Sequence, residues 1–386
     1  MHRNMKIIIA PDKFKGSLTS MEVCTAIKEG ILRADKTIEV AMFPMADGGD
    51  GFAEIIKYYS GTISQSVESV DALGRSIHCS YEWDQHEQIT IIELASCSGL
   101  AMLKQKERNP LVTSTYGTGL QIQHAIEKGA RKIMLGIGGS ATNDAGIGIL
   151  SALGFIFTDE KNEALYPCGG SLGQVRKIIP PPVLPAVEFE IACDVNNPLH
   201  GPEGAAVIFS PQKGATPHQV QLLDEGLKQF AKIIEQQTGK NVSTFPGAGA
   251  AGGIAAGLMS YLPVKIIEGT QLILKASNIK NSIDDADMII TGEGKIDRQS
   301  LMGKTICAIT AMATEKGIPV VALCGKLELT ESSWKEFGLS LAVAINDGFM
   351  TEEESMRNAP MLLIQKMETI VPLLKKLNRK RKGAQD

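Results

Sequence analysis

The chain has 386 residues, 44% of them hydrophobic and 21% charged, with a formal net charge of −4. That length exceeds one ordinary core and fits two domains, and the composition excludes a largely disordered chain. A mild negative charge offers no attraction to nucleic acid or to an anionic membrane, so neither is expected as a partner.

No apolar run approaches the ~18 residues that cross a bilayer. The first such run, residues 7–10, is stopped by Pro11 and Asp12, so no signal peptide is expected. Seven cysteines without a CxxC pair, most of them inside apolar runs, read as reduced core thiols of a cytoplasmic protein and not as a zinc site.

In chain order, residues 6–10 read as a buried parallel strand, and Thr19 with Glu22 forms a capping box for a helix over Ser20–Ala34. A strand near 40–44 and a helix over 50–59 complete a βαβα start, the alternation of a doubly wound sheet. Residues 63–70, 76–83 and 89–93 follow as strands with no helix between them, which makes them antiparallel, because parallel neighbours need a long crossover. A mixed region runs to about residue 265 and contains an amphipathic helix with Leu223, Leu227, Phe230 and Ile234 on one face.

Alternation returns with strands near 288–291, 320–324 and 341–345, and 360–377 reads as a closing helix. The pattern fits a doubly wound domain made from both chain ends, residues 1–61 and 269–386, with 62–268 inserted as a mixed α/β domain. The basic stretch from Lys375 to Lys382 reads as a solvated helix end.

In such a sheet the carboxyl ends of the strands open on one edge, where ligands bind. That edge collects Asp12, Lys13 and Lys15, then Asp47 and Asp50, then Glu293, Lys295 and Asp297, with Lys326 and Asp347 beyond. Asp47-Gly48-Gly49-Asp50 sets two carboxylates around two glycines. They suit a magnesium ion or the proton of a substrate hydroxyl; the alternative is a helix start capped by Asp50.

Residues 136–144 follow the strand 132–135 and are expected to open a helix whose free N–H groups favour phosphate. The stretch also matches the G-x-G-x-x-A dinucleotide fingerprint, with Asp159 at a suitable distance, which leaves a nicotinamide enzyme open. Residues 246–253 either close over phosphates or let helices pack tightly. Cys193-Asp194-Val195-Asn196-Asn197-Pro198 suits a small hydroxy acid or a hydrated metal, or forms an Asx turn. Gly303-Lys304-Thr305 would end a Walker motif, but Arg298 stands where its first glycine is required, so no P-loop is present. The histidines form no triad with a nucleophile elbow.

Taken together, residues 10–18, 44–51, 138–146, 193–198, 247–257 and 291–299 resemble the bacterial glycerate kinases, in that family's order and over about residues 6 to 350. The resemblance implies a flavodoxin-like domain built from both chain ends with a second α/β domain inserted. It also implies magnesium-dependent (Mg2+) transfer of the γ-phosphoryl group of ATP to D-glycerate, giving 2-phosphoglycerate or 3-phosphoglycerate.

For direct in-line transfer, Lys13, Lys15 and Ser17 would clamp the substrate carboxylate or the γ-phosphate. Asp47 or Asp50 would accept the hydroxyl proton, and Lys295 would offset charge on the phosphates. Asp194, Glu293 and Asp297 would hold the metal. Gly138, Gly139, Ser140, Thr142 and Asn143 would supply donors, and Asn196, Gly249 and Gly252 complete the binding set. ATP and D-glycerate are the expected partners, and a homo-oligomer is compatible with the sequence. Two other classes stand beside this one: an NAD(P)-dependent hydroxy-acid dehydrogenase and a non-catalytic sugar-acid sensor.

Overall fold

A computed structural model describes residues 4–49, 51–298, 300, 305–346 and 348–382. The chain begins with β1 (Lys6–Ile9) and β2 (Glu39–Met42), joined by a helix over Ser20–Ala34. Next come β3 (Ile63–Val70), β4 (Ser76–Asp84), β5 (Ile89–Glu93) and β6 (Lys132–Gly136). They are followed by β7 (Ile156–Thr158), β8 (Lys177–Ile179), β9 (Glu188–Ala192) and β10 (Val264–Ile267). The series ends with β11 (Met288–Ile296), β12 (Val320–Leu327) and β13 (Leu339–Ala344). Two compact units result: the described residues up to Asp47 with those from Thr270 onward, and Gly48–Gly269.

The first unit carries an all-parallel sheet in the order β2-β1-β11-β12-β13. This is the flavodoxin-like order, in which the connection changes sides at β1. Ile7, Ile8 and Ile9 are fully buried, as expected of a parallel strand covered on both faces. The Ser20–Ala34 helix starts at the capping box, with Thr19 N donating to Glu22 Oε2 at 2.8 Å and Glu22 N to Thr19 Oγ1 at 3.3 Å. It packs on the Ala359–Lys382 helix through Gly30, where a Cβ would stand 2.6 Å from the Ile364 carbonyl oxygen.

β11 runs past the expected end at Thr291, pairing Glu293 with Cys324 and Lys295 with Lys326 on β12. The polar motif therefore lies on the strand and not after it. Glycine is usually depleted in strands, so pattern reading stops at Gly292. Here the glycines let two backbones close up: a Cβ on Gly292 would lie 2.2 Å from the Leu323 carbonyl oxygen.

The second unit holds a six-stranded mixed sheet in the order β10-β9-β6-β5-β4-β3. β3, β4 and β5 pair antiparallel, while β5, β6, β9 and β10 pair parallel. β7 and β8 form a separate ribbon. Leu223, Leu227, Phe230 and Ile234 of the Pro217–Thr238 helix are fully buried in this unit's core.

The Phe52–Ser60 helix also belongs here, so the first crossing between units falls before that helix and not after it. Phe52, Ile55 and Ile56 are its buried face, and Ala53 N donates to Glu93 Oε1 at the end of β5 at 2.8 Å. A βαβα pattern predicts a helix but not which sheet it covers.

The seven cysteines are unbridged, although Cys79 and Cys97 bring their sulfurs within 3.1 Å. Among the described residues no helix is long and apolar enough to cross a membrane.

Candidate active site

In the first unit the chain leaving β1 keeps to the side of β11: Ala10 N donates to the Ile290 carbonyl and Asp12 N to that of Gly292. Asp12 is thereby drawn inward to 7% exposure. Its carboxylate accepts from Lys13 N at 2.7 Å and from Thr305 Oγ1 at 3.1 Å. Burial, and then the neighbouring charge of Asp47, push its pKa up to about 7. Asp47 follows β2 on a segment held by Met45 N on the Pro11 carbonyl, and it is half-buried with Lys13 Nζ 3.8 Å from its Oδ1. Two carboxyl groups of unlike burial thus meet where the sheet order reverses. Such a difference of surroundings is what separates acid from base duties in a pair.

Lys15 is exposed, and Gly294 lies close beneath it, where a Cβ would be 3.1 Å from Lys15 N. Ser17 Oγ donates to the Met356 carbonyl at 2.5 Å. Glu293 and Lys295 occupy alternate positions on β11 and so share a face, with Asp297 just past the strand's end. Lys295 is 49% exposed, with Nζ 2.8 Å from Glu328 Oε2 and 3.3 Å from Asp297 Oδ2, and Lys326 reaches the other oxygen of Glu328 at 2.9 Å. Lys295 is therefore already engaged with protein carboxylates. Asp50 lies outside the described residues, as do Gln299, Gly303, Lys304 and Asp347, and the helix that Asp50 was expected to cap has Gly51 at its N-cap.

In the second unit, Gly138, Gly139, Ser140, Thr142 and Asn143 lie on the loop after β6. Gly139 takes a left-handed conformation (φ 67°) with its carbonyl accepting from Leu100 N. The helix expected to open within residues 136–144 begins only at Ile147. Its start is served by the protein's own anion. Buried Asp144 accepts from Gly146 N at 3.2 Å, Gly148 N at 3.3 Å and both Thr115 N and Oγ1 at 2.8 Å, while burial raises its pKa. The donors Gly146 N and Gly148 N at that helix start are thus taken up by Asp144, while residues 138–143 lie on the loop before it.

The dinucleotide fingerprint also fails structurally. It lacks the helix that should begin inside it, and Asp159 is used in a turn after β7, accepting from Lys161 N and Glu163 N.

Gly249 and Gly252 join loops. A Cβ on Gly249 would lie 2.2 Å from the Pro198 carbonyl oxygen, and one on Gly252 2.4 Å from that of Thr142. They tie residues 138–146 and 193–198 to 247–253. Asp194 Oδ1 accepts from Gly269 N at 2.9 Å, just past β10, and Asn196 is exposed.

One residue of this loop cluster carries no sequence signal. Lys213 is 2% exposed, and its ammonium donates to the Thr142 carbonyl at 2.6 Å and to Ser140 Oγ at 3.2 Å. A lone lysine in Pro211-Gln212-Lys213-Gly214 reads as solvated. Asp12 was within reach of the sequence, since it directly follows a strand end, but its burial was not.

A model of the glycerate kinase family matches residues 7–375. A glycerate kinase of Haemophilus influenzae is 42% identical over 327 residues, covering 84% of this chain and 86% of that protein. One from Halalkalibacterium halodurans is 40% identical over 367 residues, 94% and 97% of the two chains. The glycerate 2-kinase of Escherichia coli is 36% identical over 358 residues, 92% and 94%. A crystal structure from Salmonella typhimurium LT2, of a protein provisionally named glycerate kinase 2, matches with a TM-score of 0.84 at 34% identity, over 97% of this chain and 100% of that one.

Proposed function

The chain belongs to the glycerate kinase family, kinases that phosphorylate glycerate, and on that premise we propose that its donor is ATP, its acceptor D-glycerate and its product 2-phosphoglycerate. The observation that carries the reading is the unlike pair Asp12 and Asp47 at the reversal point of the first sheet, with Lys13 beside it. The name of the Escherichia coli relative, glycerate 2-kinase, supports the 2-position over 3-phosphoglycerate.

Transfer between oxygens asks for positioning and charge stabilisation more than covalent chemistry. In this reading Asp47 takes the proton of the attacking hydroxyl, with Asp50 the other acid of its motif. Lys13 and Lys15 hold the carboxylate or the transferring group, and the Ser17 hydroxyl, already committed to Met356, shapes the turn that carries them. Lys295 acts within its ion-pair ladder. Asn143 and the 138–140 backbone donate to an anionic group of a substrate.

Among the described residues no three His, Cys, Asp or Glu side chains gather as a ready-made metal site. Magnesium commonly takes one or two protein carboxylates and fills its shell with water and phosphate oxygens. Hard oxygen donors on Glu293 and Asp297 suit it. Bound there, magnesium would neutralise charge on the phosphates. The proposed compartment is the cytoplasm.

The test is ADP release from ATP and magnesium on addition of D-glycerate, with the product read by phosphorus NMR. Asp47→Asn should lower kcat by about 10²–10⁴-fold while the protein stays folded; near-normal turnover would remove Asp47 from the role. Glycerate binding without ADP release would identify a sensor instead.

A further inference from the structure

Lys213 ends the short Pro211–Lys213 turn, and the next residue, Gly214, is left-handed (φ 93°) and packed so closely that a Cβ would stand 2.2 Å from the Arg108 carbonyl oxygen. The turn directs the lysine inward. Lysines commonly bury their carbon stems and leave the ammonium in water, but here the ammonium is buried as well. It is held by the Thr142 carbonyl and the Ser140 hydroxyl and makes no ion pair with a described carboxylate. Burial pulls its pKa down to about 7, opposed only by the charge of Asp144. A core that needed volume alone would take an apolar side chain at lower cost in desolvation.

What the ammonium grips is the Thr142–Asn143 peptide. Gly252 crowds the same peptide: a Cβ there would lie 2.4 Å from Thr142 O and 2.5 Å from Asn143 Cα. Lysine and glycine together leave that peptide little freedom.

Asn143 is 0% exposed, and neither its Nδ2 nor its Oδ1 has a hydrogen-bond partner among the described residues. Buried amides nearly always spend both atoms, so one with an unspent donor and acceptor marks a place where a polar group belongs. A hydroxyl beside an oxyanion would match such an amide with a cation nearby.

We infer that Lys213 is a positioning residue of the phosphoryl transfer: it fixes the Ser140–Asn143 segment and places positive charge under it, so that the Asn143 amide can hold the oxyanion of a substrate. This rests on the reading of residues 138–143 as a substrate-binding loop. The oxyanion is the carboxylate of glycerate or a phosphate of ATP, and the two are separable by experiment.

The full-length enzyme is measured as wild type, Lys213→Met, Lys213→Arg and Asn143→Ala, for both KM values, kcat and Tm. Lys213→Met should raise one KM by about tenfold or more with a smaller change in kcat, the signature of lost binding and not of lost chemistry. A rise in the glycerate KM identifies the carboxylate, and a rise in the ATP KM the phosphate. Lys213→Arg should recover part of the loss. Should the arginine form not fold, Lys213→Gln, which keeps a donor for Thr142, should recover part of it instead.

Two unchanged KM values in Lys213→Met overturn the inference. So does a parallel loss of kcat and both affinities that tracks a lower Tm and is recovered by neither Arg nor Gln. If Asn143→Ala raises a KM and Lys213→Met does not, only the role of Lys213 falls. If Asn143→Ala also changes neither, the loop is not a binding site and both readings fall.

Discussion

Asp12 and Lys213 are charges moved away from water, and they give stability pH dependences of opposite sign. Asp12 is raised from 3.8 to about 7 by burial and by Asp47, against the lowering effects of Lys13 and Thr305. Between those values the folded chain keeps a proton that the unfolded chain has lost, so stability falls as pH rises from about 4 to 7. Lys213 is lowered from 10.5 to about 7 by burial. Between 7 and 10.5 the unfolded chain binds the proton and the folded chain does not, so this group makes stability rise with pH over that range.

Urea unfolding across pH should show Asp12→Asn flattening the acid-side slope and Lys213→Met flattening the alkaline-side slope. A variant that leaves its slope untouched would contradict the burial assigned to that side chain. Lys13 and Asp47 were legible as candidates because charged residues after a strand end are placed by chain order alone. Lys213 was not, because nothing in its own neighbourhood marks it as buried.

Among the elements, those governed by short-range chemistry were readable. The box Thr19/Glu22 forms with the expected reciprocal bonds, and the apolar face of the Pro217–Thr238 helix is buried as its 3.6-residue spacing requires. Two boundaries went otherwise. β11 continues through glycines because β12 lies against it, and the helix after β6 begins only at Ile147, where Asp144 accepts from Gly146 N and Gly148 N.

The glycine loops had two readings, and Gly252 shows the tight-packing one at work: φ is 80° and any Cβ meets backbone. Gly252→Ala should destabilise the second unit by about 2 kcal/mol or more, combining a strained conformation with a clash that no rotamer relieves. Urea melts would measure it, and a loss below about 0.5 kcal/mol would mean that the loop can shift freely.

At the scale of the molecule, each unit has its own hydrophobic core among the described residues, and each contains one of the two tryptophans, Trp83 on β4 and Trp334 on the Glu331–Glu336 helix. Phe230 is fully buried in the second core. Phe230→Ala should cost about 3–5 kcal/mol and shift the unfolding midpoint reported by Trp83 more than that reported by Trp334, each read in a background where the other tryptophan is phenylalanine. Equal shifts would show that the units unfold as one.

The chain by itself determined the alternation of strands and helices, the discontinuous doubly wound domain and the family, because periodicity, caps and long ordered motifs are properties of local chain. Only the tertiary structure decided which sheet the Phe52–Ser60 helix covers and which charges lie out of water. Desolvation depends on what arrives from elsewhere: Thr305 reaches Asp12 across 293 positions, and Thr142 meets Lys213 across 71.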